Sequence, residues 1–92
     1  MSSVFNSAEK RREFFYRLIE KDFKVRMHSY EYFIRAQKFV CIVVLNPLWN
    51  AARLYTIPWN IEESRHAIKT ISEMIQKIDP SIKITVIEPA TQ

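Results

Sequence analysis

Few side chains in this sequence have the chemistry for acid–base or metal catalysis. The chain contains two histidines, His28 and His66, and one cysteine, Cys41. Two separated histidines and one cysteine do not have the spacing of a zinc site. A small metal-independent ribonuclease would need His28 and His66 as general acid and base, with Arg26 and a tyrosine nearby. Such a site forms only if the fold brings the two histidines together.

The other reactive side chains have structural explanations. Cys41 lies inside an apolar run, where a free thiol behaves as a small hydrophobic side chain. Glu62 and Glu63 fall in the first turn of a predicted helix, where carboxylates stabilise the helix dipole. The chain contains no glycine, which excludes the glycine-rich loops that bind nucleotide phosphates. We therefore expect a non-enzymatic protein without a cofactor or a metal.

Positive charge is concentrated in the first two thirds of the chain. The net charge is +4. Residues 1–59 hold ten Lys or Arg and five Asp or Glu, whereas residues 60–92 hold four and five. A basic segment of this kind favours contact with a polyanion such as nucleic acid or a ribonucleoprotein. The candidate binding residues are Lys10, Arg17, Lys21, Lys24, Arg26, Arg35, Arg53 and Tyr55.

Part of this charge has an alternative explanation. Lys10, Arg17, Lys21 and Lys24 form one stripe on the first predicted helix. Glu13 lies four residues before Arg17, a spacing at which opposite charges pair within a helix. An ordinary solvated helix face therefore explains the stripe as well as a ligand does.

Several aromatic residues fall outside the apolar stripes of the predicted elements. Tyr55 shares a predicted strand face with Arg53, and such neighbours stack nucleic-acid bases or anchor protein partners. Trp49 and Trp59 either close the ends of the core or contact a partner. As an alternative to nucleic-acid binding, a protein–protein interaction module or homodimer would use an exposed aromatic sheet face that contains Tyr32, Tyr55 and Trp59.

Hydrophobic periodicity predicts the elements that position these residues. Residues 39–45 form the longest unbroken apolar run, which predicts a strand buried on both faces and ended by Asn46 and Pro47. Apolar stripes predict helices over residues 7–23 and 60–79. Alternating patterns predict strands over residues 24–29, 51–57 and 82–87. Residues 29–37 fit a strand, a bulged continuation or a short helix, and their aromatic and β-branched side chains favour a strand.

These elements predict a single α+β domain over residues 1–92 in the order α-β-β-β-α-β, with one strand uncertain. Two helices would cover one face of a mainly antiparallel sheet of about four strands. The other face would be wet or covered by a partner. Residues 1–6 and 89–92 are expected to be loose, although Val4 and Phe5 could pin the first segment to the body.

The location is predicted from three features. A single cysteine fits a reducing compartment, and the first residues lack the pattern of a signal peptide. The longest apolar run is shorter than the ~20 residues that cross a membrane. We expect a cytoplasmic protein, in the host cytoplasm if it is encoded by a phage, with no membrane partner.

Two resemblances bear on function. The α-β-β-β-α order from Ser7 to Asp79 is similar in outline to the double-stranded RNA-binding domain. That family has a glycine-containing lysine cluster at its second helix, whereas residues 60–66 here are acidic, so its contacts are not transferred. The chain also resembles the small phage-encoded inhibitors of host defence, anti-CRISPR proteins among them, in size, single domain and lack of an enzyme motif. This likeness implies steric inhibition of a defence complex such as CRISPR-Cas.

Overall fold

The computed structural model describes residues 3–58 and 61–88, which form two helices and one five-stranded sheet. The elements are α1 (Ala8–Glu20), β1 (Lys24–His28), β2 (Glu31–Ala36), β3 (Phe39–Asn46), β4 (Ala51–Pro58), α2 (Ile61–Ile78) and β5 (Lys83–Ile87), with short 3-10 turns at Val4–Asn6 and Pro47–Trp49. The strand order is β1-β2-β3-β4-β5. The first four strands pair antiparallel, and β5 pairs parallel to β4. A parallel neighbour needs a long crossover connection, and α2 provides it.

Burial alternates along the strands, because both helices pack on the same face of the sheet. In β3, Phe39, Cys41, Val43 and Leu45 are buried. Each fully buried aliphatic or aromatic side chain contributes roughly 1.5–3 kcal/mol of gross stabilisation. The core that these residues share with the helices also contains Phe5, Phe14, Leu18, Tyr32, Ile34, Leu54, Ile71 and Ile75.

The predicted α+β class and the two helices are confirmed, but the sheet has five strands rather than about four. The additional strand comes from the ambiguous residues 29–37. Ser29 and Tyr30 form a two-residue hairpin loop, because His28 pairs with Glu31 on either side of it. Ser29 has a φ of 56°, a left-handed conformation that hairpin loops usually assign to glycine, asparagine or aspartate. In this glycine-free chain the usual sequence marker of the turn is missing.

The first helix ends before its predicted limit at residue 23, because the chain turns left-handed at Asp22, where φ is 66°. The Asp22 N–H donates to the Ile19 carbonyl at 3.0 Å, and the Phe23 N–H donates to the Leu18 carbonyl at 3.2 Å. These two bonds are those of a Schellman motif, which satisfies the last carbonyls of a helix.

The segment before α1 is packed against the body between Ser3 and Asn6, which differs from the loose lead-in expected there. Phe5 is fully buried. The Ser3 N–H donates to the Pro47 carbonyl at 2.7 Å, and the Ser3 hydroxyl donates to the Asp79 carboxylate. An Arg11 guanidinium N–H donates to the Phe5 carbonyl at 2.8 Å. Within the described ranges no helix is long and apolar enough to cross a lipid bilayer.

Candidate functional site

The face of the sheet opposite the helices is uncovered by any described residue, and we call it the open face. Strand register places one row of side chains across all five strands, in the order Arg26, Phe33, Ile42, Tyr55 and Ile87. Residues two positions along each strand share the same side of a sheet. The open face therefore comprises Lys24, Arg26 and His28 of β1, Glu31, Phe33 and Arg35 of β2, Val40, Ile42 and Val44 of β3, Arg53, Tyr55 and Ile57 of β4, and Lys83, Thr85 and Ile87 of β5.

The centre of the open face is apolar and accessible. Phe33 is 46% exposed, Tyr55 is 37% exposed and Ile57 is 51% exposed. The β3 strand was predicted to be buried on both faces, and this is wrong, because Val40 and Ile42 remain half-buried on the open face. An apolar patch on one side of a sheet, surrounded by polar residues, is typical of an interaction site.

Positive charge surrounds this apolar centre. Five of the 14 Lys and Arg residues of the chain lie on the open face, but only one of the ten Asp and Glu residues does. The rest of the chain thus has nine of each sign, so the whole net charge of +4 resides on this face. No ion pair among the described residues joins Lys24, Arg26, Arg35 or Arg53 to an acidic side chain. These cations are available to a ligand.

The structure brings together five of the eight predicted binding residues. Lys24, Arg26, Arg35, Arg53 and Tyr55 all lie on the open face. The other three lie on the helix side of the sheet. Lys10 and Arg17 belong to α1, and Lys21 is the C-terminal cap of that helix.

The charge on α1 is partly neutralised within the helix. Lys10 and Arg17 both pair with Glu13, at 3.4 Å and 3.2 Å. Exposed pairs of this kind contribute little to stability, but they reduce the charge offered to a ligand. Because these residues of α1 lie on the other side of the sheet from the open face, the eight predicted residues do not form one surface.

Tyr32 is not part of the exposed face, in contrast to the prediction for a protein–protein module. It is fully buried, and its ring packs edge-on against Phe14 with ring centroids 4.8 Å apart. Its hydroxyl donates to the Arg11 carbonyl at 2.7 Å, and burial raises its pKa above the usual value. The exposed aromatic residue of β2 is its neighbour Phe33. Sequence reasoning missed it, although it lies two positions from the predicted Arg35 and so on the same face of the strand.

Trp49 does not add to the described core. Trp49 lies on the turn between β3 and β4 and is 79% exposed, so it does not close an end of the core. Trp59 lies outside the described residues. Lys83 and Ile87 on β5 complete the open face and were also missed, because the partner of the last strand was not evident from the sequence.

The fold does not bring together the two histidines that a ribonuclease site would need. His28 lies on the open face, whereas His66 lies on α2, so the sheet and the core separate them. Cys41 is fully buried, and burial raises the pKa of its thiol to about 12. In the described ranges no group of three or more His, Cys, Asp and Glu side chains is placed to hold a metal ion.

The open face is thus suited to binding, with apolar and aromatic side chains at its centre and cations around them. No protein-family model, curated protein or solved structure matches the chain. Function is therefore argued from the residues of this chain.

Proposed function

We propose that this protein binds single-stranded nucleic acid on its open face, with bases against Phe33 and Tyr55 and phosphates against the surrounding cations. The observation that carries the proposal is the central row, in which Phe33 on β2 and Tyr55 on β4 lie on either side of Ile42. Sheets that bind single-stranded RNA use aromatic side chains in this way, stacking two or three bases.

The spacing of the two rings supports this mode. Neighbouring strands lie about 4.8 Å apart, so two side chains separated by one strand are about 10 Å apart. Each ring therefore has room for its own base. The bases of a duplex are already stacked on each other, so the open face should prefer a single strand.

The cations would supply most of the affinity. Arg26 begins the central row. Lys24 and Arg35 lie opposite each other on β1 and β2, in the row on one side of it, and Arg53 lies opposite Val44 in the row on the other side. Neutralisation of phosphates by Lys and Arg is independent of sequence and weakens as salt is added. Since stacking on an aromatic ring tolerates any base, we expect little sequence specificity.

The distribution of charge argues against a homodimer through the same face. A two-fold interface places identical surfaces against each other. The five cations and one carboxylate of one copy would then face the same residues of the other copy. Like charges that face each other across an interface cost free energy. The partner should instead be anionic.

An acidic protein surface is the second candidate, because Val40, Ile42 and Val44 in the middle of the face are aliphatic. Aliphatic side chains have no hydrogen-bonding groups and pack well against an apolar protein surface. A ribonucleoprotein would offer both kinds of partner. Docking on its RNA would block that RNA sterically, as the resemblance to phage-encoded inhibitors of host defence implies.

The test is fluorescence anisotropy with a labelled single-stranded oligonucleotide and a duplex of the same sequence. We expect tighter binding to the single strand. Base–aromatic stacking contributes about 1–3 kcal/mol per base, so Phe33→Ala and Tyr55→Ala should each weaken binding by roughly 5- to 150-fold. Thermal melts would establish that each variant is folded.

Tyr16→Ala is the matched control, because Tyr16 is 60% exposed on α1 and should not contact the strand. Equal affinity for single strand and duplex, or equal loss in all three variants, would contradict the proposal. An acidic protein that binds at high salt and loses affinity on Tyr55→Ala would favour the second candidate.

A further inference from the structure

The outer edge of β1 is open. In the described sheet β1 pairs with β2 and has no strand on its other side. Alternate residues of such an edge strand direct their N–H and C=O groups away from the sheet. A groove follows this edge, bordered by Arg12, Phe15 and Tyr16 of α1 and by the five residues of β1. We call it the edge groove.

The helix side of the edge groove is apolar. Val25 and Met27 face the core but remain half-buried, whereas the equivalent residues of β2, Tyr32 and Ile34, are 0% and 1% exposed. The difference arises because β1 is an edge strand of the described sheet, whereas β2 has a strand on each side. Phe15 packs against the core beside them.

The other side of the edge groove is cationic. Lys24 and Arg26 point to the open face, and Arg35 of β2 lies beside them. The residues that line the groove include four Lys or Arg and no Asp or Glu. A ligand in the groove would therefore meet apolar side chains on one side and positive charge on the other.

We infer that the edge groove binds an extended peptide segment in which acidic and apolar residues alternate, and that this segment adds to β1 as a further strand. Side chains of a strand alternate between the two faces of a sheet. The apolar residues of the peptide would contact Val25, Met27 and Phe15, and its carboxylates would face Lys24 and Arg26. Main-chain hydrogen bonds to the free edge would supply affinity, as in other cases of strand addition.

A second copy of this chain fits the edge groove less well. Pairing of β1 with its symmetry mate would set cations of one copy opposite cations of the other, and like charges directly opposite each other destabilise a strand pair. The inference goes beyond the proposed function, since it concerns a different partner and a backbone edge, although both ligands would use Lys24 and Arg26.

The test uses a short synthetic peptide in which Glu alternates with Val. One control peptide has the same composition with all Glu residues grouped at one end. A second control carries N-methyl groups on alternate amides, which removes hydrogen-bond donors without changing charge. We expect both controls to bind about tenfold more weakly or worse. NMR hydrogen exchange should show that outward-facing amides of β1 become protected only with the alternating peptide.

Two variants separate this proposal from nucleic-acid binding. Tyr16→Ala should weaken peptide binding several-fold, whereas Tyr55→Ala should leave it unchanged, because Tyr55 lies on β4, three strands away from β1. The oligonucleotide should show the reverse pattern. Equal binding of the grouped peptide, no binding of the alternating peptide, or binding without protection of β1 amides would overturn the inference. Failure of the oligonucleotide alone would overturn only the proposed function.

Discussion

At the scale of single residues, Asp79 connects parts of the chain that are distant in sequence. It is 4% exposed, and its carboxylate accepts hydrogen bonds from the Ser3 hydroxyl, from the Ser81 hydroxyl at 2.8 Å and from the Ser81 N–H at 3.1 Å. Burial alone would raise the pKa of this carboxyl group. The hydrogen bonds from Ser3, Ser81 and the backbone of Val4 outweigh burial, so the pKa of Asp79 lies below its usual value.

We predict that Asp79→Asn lowers the free energy of unfolding by about 1–3 kcal/mol at neutral pH, because buried donors lose a charged acceptor. A lowered pKa in the folded state means that Asp79 contributes stability above the unfolded pKa of about 3.9. That contribution is lost as the pH falls through the folded pKa. Urea denaturation of both proteins between neutral and acidic pH should show the difference narrowing in acid.

Glu73→Gln is the control for this prediction, since Glu73 is an exposed carboxylate on α2. It should change stability little at any pH. If Asp79→Asn and the parent protein lost stability in parallel as the pH fell, the hydrogen bonds to Asp79 would not hold its pKa down.

At the scale of elements, three connections require a left-handed residue, and a chain without glycine uses Asp22, Ser29 and Asn50 there, with φ values of 66°, 56° and 50°. A left-handed conformation costs roughly 1–2 kcal/mol for most residues, and less for Asn and Asp. Asn50 offsets this cost, because its side-chain amide donates to the Ser81 carbonyl at 2.9 Å and thereby connects the turn before β4 to the segment before β5.

We predict that Asp22→Gly and Ser29→Gly each raise the free energy of unfolding, by about 0.5–1 kcal/mol, because relief of strain exceeds the entropic cost of glycine. Asp22→Gly should gain more, since it also removes a negative charge next to the C-terminus of α1. Asn50→Gly is the contrasting variant and should lose stability with its hydrogen bond. Chemical denaturation measures all three, and a loss of stability in Asp22→Gly and Ser29→Gly would contradict the strain argument.

The same turns explain which elements were predictable. Asn46 and Pro47 mark the end of β3, and Pro80 marks the end of α2, so these elements could be placed from the sequence. The loop at Ser29 has no such marker, and the strand after it stayed ambiguous. Without the register of β2, Phe33 could not be assigned to the open face, and Tyr32 was placed there instead.

The candidate site was predictable only in part for a related reason. Arg26, Arg53 and Tyr55 could be identified because each lies on the polar side of an alternating pattern. A basic stripe such as Lys10 and Arg17 shows that one face of a helix is exposed, but periodicity does not reveal which side of the sheet that helix covers. The apolar run of β3 predicted burial on both faces, and the structure leaves one of them uncovered.

At the scale of the whole molecule, the charge of +4 is not a general property of the surface. It lies on the open face, and the remainder of the chain is balanced. If nucleic acid binds through this face, the position of a cation should matter more than the net charge. A protein held to nucleic acid by its overall charge would instead respond equally to every neutralised cation.

We therefore predict different effects for two double variants of equal net charge. Arg26→Gln with Arg35→Gln neutralises two open-face cations, and Lys69→Gln with Lys77→Gln neutralises two exposed cations on α2. The first pair should weaken oligonucleotide binding and reduce the slope of log affinity against log salt by about 1.4, since each phosphate contact to a single strand contributes about 0.7. The second pair should leave the slope unchanged. Equal slopes in both variants would mean that the open face is not where phosphates bind, because the two proteins differ only in where their remaining charge lies.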